Sequence, residues 1–255
     1  MIDLSVSAGM LAASNPRLRG VLEDLGIDYC CSEDRTVQDV AAAAGVTVND
    51  LEAAIGLASE EAPAPHEAWL EESLSALIAH LEVGHATKAA AVSRISTLFE
   101  MVAPATSRQV AFGVLRAAFH ELIIELMPHT QREEIVIFPF VLAMESAGLK
   151  GTPLPDRPQG GLEALLHPLS GEHRQIQAAL AKMRSAALDL HVHGHDEFGR
   201  RLVSELRDLS REVHEFMNLE TFVLFPRAMS LEARLYAEPA IRQSPAQRSA
   251  VTSAV

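Results

Sequence analysis

Glu133 and Glu220 each open the phrase Glu-x4-Phe-Pro, which closes at Pro139 and at Pro226. The two glutamates and the two prolines are both 87 residues apart, and His85 and His173, upstream of the phrases, are 88 apart. His129 stands one helical turn before Glu133, so an imidazole and a carboxylate lie one above the other on a single helix face. Neutral imidazole nitrogen with carboxylate oxygen suits iron, manganese or zinc. Glutamates from two facing helices bridge metal ions in carboxylate-rich bundles. An ionised carboxylate alone in an apolar core is very costly, so a buried one needs a metal or a network. His85, His129, Glu133, His173 and Glu220 therefore form a candidate metal set.

Taken singly, each of these residues has a plainer reading as a surface or satisfied core side chain. Only the repeat raises them together. His80 is a weaker rival to His85, since it lies about half a turn round the helix. His120 faces roughly 180° away from His129 at ~100° per residue. His191, His193 and His195 alternate through a glycine-containing segment and read as an exposed polar loop.

The repeat requires two helix hairpins, and the chain provides them. Helical periodicity predicts four long helices at about 68–102, 107–147, 162–189 and 196–234, with Pro128 as a bend in the second. A first histidine and a second glutamate in each hairpin make a four-helix bundle with pseudo-twofold symmetry. Residues 1–57 read as a small unit of three short helices, with Thr36 and Thr47 as caps and Gly26 and Gly45 as stops. An acidic, proline-bearing linker covers 58–67, and 235–255 reads as a loose tail.

Composition agrees with an all-α chain. Of 255 residues, 48% are apolar and only 5% aromatic, which disfavours a sandwich or barrel. A net charge of −13 argues against a nucleic-acid partner. No apolar run reaches the ~18 residues of a membrane span, and the N-terminus lacks the pattern of a secretory signal. Cys30 and Cys31 are adjacent, so they close no useful loop and suit a reducing compartment. The expectation is a cytoplasmic protein with no membrane and no nucleic-acid partner.

Asp28-Tyr29-Cys30-Cys31 ahead of a helical module, the two Glu-x4-Phe-Pro phrases and the run from Leu219 to Ala228 together resemble the repair-of-iron-centres family. The resemblance covers about residues 1–230. It implies an all-α fold: a haemerythrin-like, up-down four-helix bundle preceded by a small three-helix N-terminal domain. It also implies two irons, oxo- and carboxylate-bridged, held by four histidines and two glutamates. His129, Glu133, His173 and Glu220 match that set. His85 matches the ligand of the first helix with a one-residue shift, and without the shift Ala86 stands in its place. Phe216 departs from the pattern, because it occupies a histidine's position and phenylalanine does not coordinate iron. His214 is a substitute ligand only if the helix is locally rewound, since it lies roughly 200° round from Phe216.

Glu125 and Glu172 match acidic residues that line a channel to the metals, and Cys30 and Cys31 match a site of iron or nitrosyl transfer. The function implied is repair of iron–sulfur clusters after nitric oxide or oxidative damage, by iron donation or NO handling. Its partners would be damaged iron–sulfur proteins and NO or O2, with a homodimer open to it. Two alternatives use the same bundle: a di-iron oxidase or NO reductase, and an O2- or NO-binding sensor or carrier with a site altered at Phe216.

Overall fold

The computed structural model describes residues 5–14, 16–25, 27, 29, 35–58, 69–101, 109–192 and 197–237. Cys30, Cys31, His193 and His195, most of the expected linker and nearly all of the expected tail lie outside them. Among the described residues every extended element is helical.

Four short helices come first: α1 (Ala8–Ser14), α2 (Pro16–Asp24), α3 (Val37–Ala43) and α4 (Val48–Ala58). Three were expected, and α1 is the addition. Its sequence, AGMLAAS, is too short and too uniformly apolar to carry a readable period. Thr36 caps α3 in a reciprocal box with Asp39, and Thr47 Oγ1 accepts from the Asp50 N–H at 3.2 Å. The start of α1 is tied to the start of α3, since Ala8 N–H donates to the Arg35 carbonyl and Val37 N–H to that of Val6.

The bundle follows. Its first helix is α5 (Leu74–Met101) and its third is α8 (Gly161–Val192). The second and fourth are composite. α6 (Gln109–Arg132) passes through a π-helical turn, Glu133–Ile137, into α7 (Phe138–Lys150). α9 (Glu197–Leu219) passes through a second, Glu220–Leu224, into α10 (Phe225–Tyr236). α6 pairs with α8 and α5 with α9, while α8 also meets α9. The helix runs on through Pro128, and the departure from α geometry comes five residues later, at Glu133.

The pseudo-symmetry extends to the helix ends. Glu145 on α7 accepts from the N–H groups of Leu74 and Ser75 at 2.7 and 2.9 Å, capping α5. Glu232 on α10 accepts from the Leu162 N–H at 2.9 Å, capping α8. Glu145 and Glu232 are again 87 residues apart. Carboxylates from a neighbouring helix thus satisfy first-turn donors that would otherwise lie orphaned.

Two apolar clusters fill the interior. One joins Leu77, Ile78 and Leu81 to Phe138, Leu169 and Leu224; the other joins Ile95 and Leu98 to Leu122, Ile176 and Leu209. Along the bundle helices the changeover from one cluster to the other falls at His85, His129–Glu133 and His173, and on α9 within a turn before Glu220. The second cluster also includes Ala8, Leu22, Tyr29, Val40 and Leu51 of the N-terminal helices.

Candidate metal centre

The phrase Glu-x4-Phe-Pro has a backbone meaning. Phe138 N–H donates to the Glu133 carbonyl, and Phe225 N–H to that of Glu220, so each phenylalanine is the i+5 donor that closes a π turn. The following proline lacks an N–H and crowds the preceding turn. Widening that turn relieves the crowding and re-aims the glutamate. π turns of this kind concentrate at functional sites.

The turns set both glutamates into the bundle interior, where Glu133 is fully buried and Glu220 nearly so. His129, Glu133, His173 and Glu220 each offer one ligand atom, and those atoms lie within 4.8 Å of one another. The Nε2 atoms of His129 and His173 are 3.1 Å apart. Glu220 Oε2 is 3.3 Å from His173 Nε2 and 3.9 Å from His129 Nε2, and Glu133 Oε2 is 3.5 Å from His129 Nε2. His85 arrives from α5, with Nε2 3.5 Å from Glu133 Oε2 and 3.8 Å from Glu220 Oε1. Ala86 points to solvent, so His85 is the residue that α5 contributes.

Each imidazole is oriented through its far nitrogen. His85 Nδ1 meets Glu134 Oε1 at 2.9 Å, His129 Nδ1 meets Glu172 Oε2 at 3.0 Å and His173 Nδ1 meets Thr221 Oγ1 at 3.2 Å. With the proton on Nδ1, every Nε2 is left unprotonated toward the cluster, which is the tautomer a metal requires. Glu172, which the resemblance matches to a channel acid, is this partner of His129 and is also paired with Arg132. Glu125 is half-buried one turn before His129. Sequence reasoning passed over Glu134 and Thr221, although each directly follows a candidate glutamate.

The cluster's charge is unbalanced as it stands. Burial and the neighbouring Glu220 hold the Glu133 carboxyl well above its ordinary pKa. Burial pushes Glu220 the same way, but the imidazoles of His129, His173 and His85 that face it outweigh burial and hold Glu220 well below. Both Glu133 oxygens, Glu220 Oε2 and His85 Nε2 are buried without a hydrogen-bond partner. Such orphaned acceptors cost about 1–3 kcal/mol each and more when charged. A cation between the two glutamates would satisfy their carboxylate oxygens, and the mixed imidazole–carboxylate donors fit iron.

Residues 93–228, more than half of the chain, match the family of the hemerythrin HHE cation binding domain. The chain belongs to that family. Most of this hemerythrin HHE protein is also similar to proteins named iron-sulfur cluster repair protein YtfE. That of Edwardsiella ictaluri (strain 93-146) is 26% identical over 229 residues, 87% of this chain and 95% of the relative. That of Salmonella typhimurium (strain LT2) is 25% identical over 230 residues, 88% and 96% of the two chains. That of Musicola paradisiaca (strain Ech703) is 24% identical over 229 residues, 89% and 97%.

Two residues near the cluster depart from a simple ligand picture. Phe216, one turn before Glu220, is buried against α5, where a Cβ added at Gly84 would fall 2.1 Å from its ring. Lys88 on α5 sits over that ring with Nζ 3.4 Å from its centroid. Burial pushes the Lys88 pKa down to about 8, while Glu220 and Glu133 oppose the shift, so it remains an ammonium at neutral pH. The structure does not bring His214 into the cluster. Its ring is buried beside Tyr29, 6.1 Å between centroids, on the side of α9 that meets the N-terminal helices. The π turn begins after His214, so α9 is not rewound there and the residue keeps its place away from Phe216.

Proposed function

We propose that this protein is a non-haem iron protein that repairs iron–sulfur clusters damaged by nitric oxide or oxidation, acting in the cytoplasm by giving up iron. The observation that carries the reading is the buried set His129, Glu133, His173 and Glu220 with its orphaned oxygens. It occurs in a chain similar over 87% or more of its length to relatives named for cluster repair.

Each residue has a part in this reading. Glu134, Glu172 and Thr221 hold the protons of His85, His129 and His173 on the nitrogens that face away from the cluster. Glu133 and Glu220 supply the negative charge, and the apolar clusters on either side exclude water from both. Bound iron supplies labile coordination, which carboxylate oxygen permits more readily than thiolate sulfur does. A pocket of about 740 Å³ gives a way out, for its lining includes His173 and Thr221 of the bundle with Met10 and Arg35 of the N-terminal segment. Cys30 and Cys31, which precede Arg35 in sequence, are proposed as the thiols that receive the iron.

Incubation of the iron-loaded full chain with an NO-inactivated iron–sulfur enzyme tests this. The wild type restores activity, Glu133→Ala/Glu220→Ala does not, and Cys30→Ser/Cys31→Ser keeps its iron but loses most of the reactivation. Reactivation unchanged by the cysteine variant removes the thiol role. No reactivation by the iron-loaded wild type removes the repair reading.

A further inference from the structure

We propose that the centre holds a single metal ion, and that the Lys88 ammonium stacked on Phe216 takes the place of a second. This rests on His129, Glu133, His173 and Glu220 being iron ligands, as argued above.

The donors divide unevenly. His129 and His173 bring two Nε2 atoms to one side of the glutamate pair, 3.1 Å from each other and both close to Glu220 Oε2. The other side has His85 alone, between Glu133 Oε2 and Glu220 Oε1. By the repeat, the partner of His85 should come one turn before Glu220, where His129 stands relative to Glu133. Phe216 is there, and its ring has no lone pair to give.

A cation is nonetheless provided. Lys88 Nζ is buried, makes no hydrogen bond and lies over the Phe216 ring face at 3.4 Å. A buried ammonium is very costly unless compensated. Here the ring quadrupole attracts it, and Glu220 and Glu133 are the foremost charges acting on it. One divalent ion and one ammonium against two carboxylates leave a small positive excess. A second divalent ion would add two more charges in a water-excluded interior, where like charges repel strongly.

The ring is fixed in place. Trp69 stacks on His80 with centroids 4.6 Å apart, and His80 packs on Phe216 at 5.3 Å, so Lys88 caps a column of three rings. On α5, the absence of a Cβ at Gly84 lets the ring pack directly on the helix backbone.

Iron per chain, measured by elemental analysis after anaerobic loading with excess ferrous iron, decides the matter, with electron paramagnetic resonance of the oxidised protein as the second readout. The wild type is expected to bind one iron and to give the signal of an isolated high-spin ferric ion. The Phe216→His/Lys88→Ala variant is expected to bind two and to lose that signal through coupling of the pair. Two coupled irons in the wild type overturn the proposal and leave the iron site standing, whereas no iron in the wild type overturns the iron site itself. A variant that keeps wild-type helicity by circular dichroism and still binds one iron overturns the role given to Lys88 and Phe216. Should the variant not fold, the wild-type stoichiometry and spectrum still decide between one ion and two.

Discussion

Burial and Glu220 together favour a protonated Glu133, while three imidazoles favour an ionised Glu220, so two carboxylates in one cluster are set to opposite states. The contrast comes from which of them the histidines reach, and a metal ion would remove it by balancing both. His214 shows the cost of burial with less compensation. Its burial, reinforced by Arg184, pushes its pKa down to about 3. The unfolded chain takes up this proton below about pH 6.5, and the folded chain does not until about pH 3. Acidification through that window therefore favours unfolding. Between pH 7 and pH 5 the loss attributable to His214 is roughly 2 kcal/mol, at about 1.4 kcal/mol per pH unit below 6.5. Urea unfolding of metal-free protein at the two pH values should show a smaller acid loss in His214→Gln than in the wild type. An equal loss in both would contradict the burial argument. At this scale the residues of the buried cluster were legible because a repeat singled them out. Lys88 was not, because a lysine among alanines gives no sign that its ammonium is turned onto an aromatic ring.

At the scale of elements, the Glu-x4-Phe-Pro phrase was visible in the sequence but its backbone geometry was not. Periodicity continues across a π turn with only one residue of slip, which is within the scatter of an apolar pattern. The meeting of α5 with α9 is equally specific. Gly84 lets the Phe216 ring lie where a Cβ would otherwise be, at 2.1 Å. Gly84→Ala gains about 1 kcal/mol of helix propensity but overfills this contact, at a cost of about 1–3 kcal/mol. Lower thermal stability in Gly84→Ala is expected, with a smaller loss when Gly84→Ala is made in a Phe216→Leu background. Equal losses in the two backgrounds would mean that the ring does not meet α5 as described. Of the short helices, α3 and α4 could be read from Thr36 and Thr47, whereas α1 carries no comparable pattern.

At the scale of the molecule, a polar belt divides two apolar clusters, and both reach the N-terminal helices, one through Ala13 alone and the other through many residues. That continuity is sealed by contacts between distant segments. Arg19 pairs with Glu215 at 2.8 Å, Asn218 Nδ2 donates to the Gly9 carbonyl at 3.1 Å, and Gly9 has no room for a Cβ beside the Phe222 ring. The bundle was legible because its two halves repeat each other. The seating of the N-terminal helices was not, because it depends on single pairs with no period to betray them. Among the described residues no single helix is long and apolar enough to cross a membrane. The arrangement as a whole brings four donors to one buried point and leaves His173 beside a pocket that both parts of the chain line. The most direct test is anomalous diffraction at the iron edge from crystals of the iron-loaded protein. A strong peak should lie among the Nε2 atoms of His129 and His173 and the carboxylates of Glu133 and Glu220. A map without that peak, with the two glutamates bonded to other partners, would contradict the account.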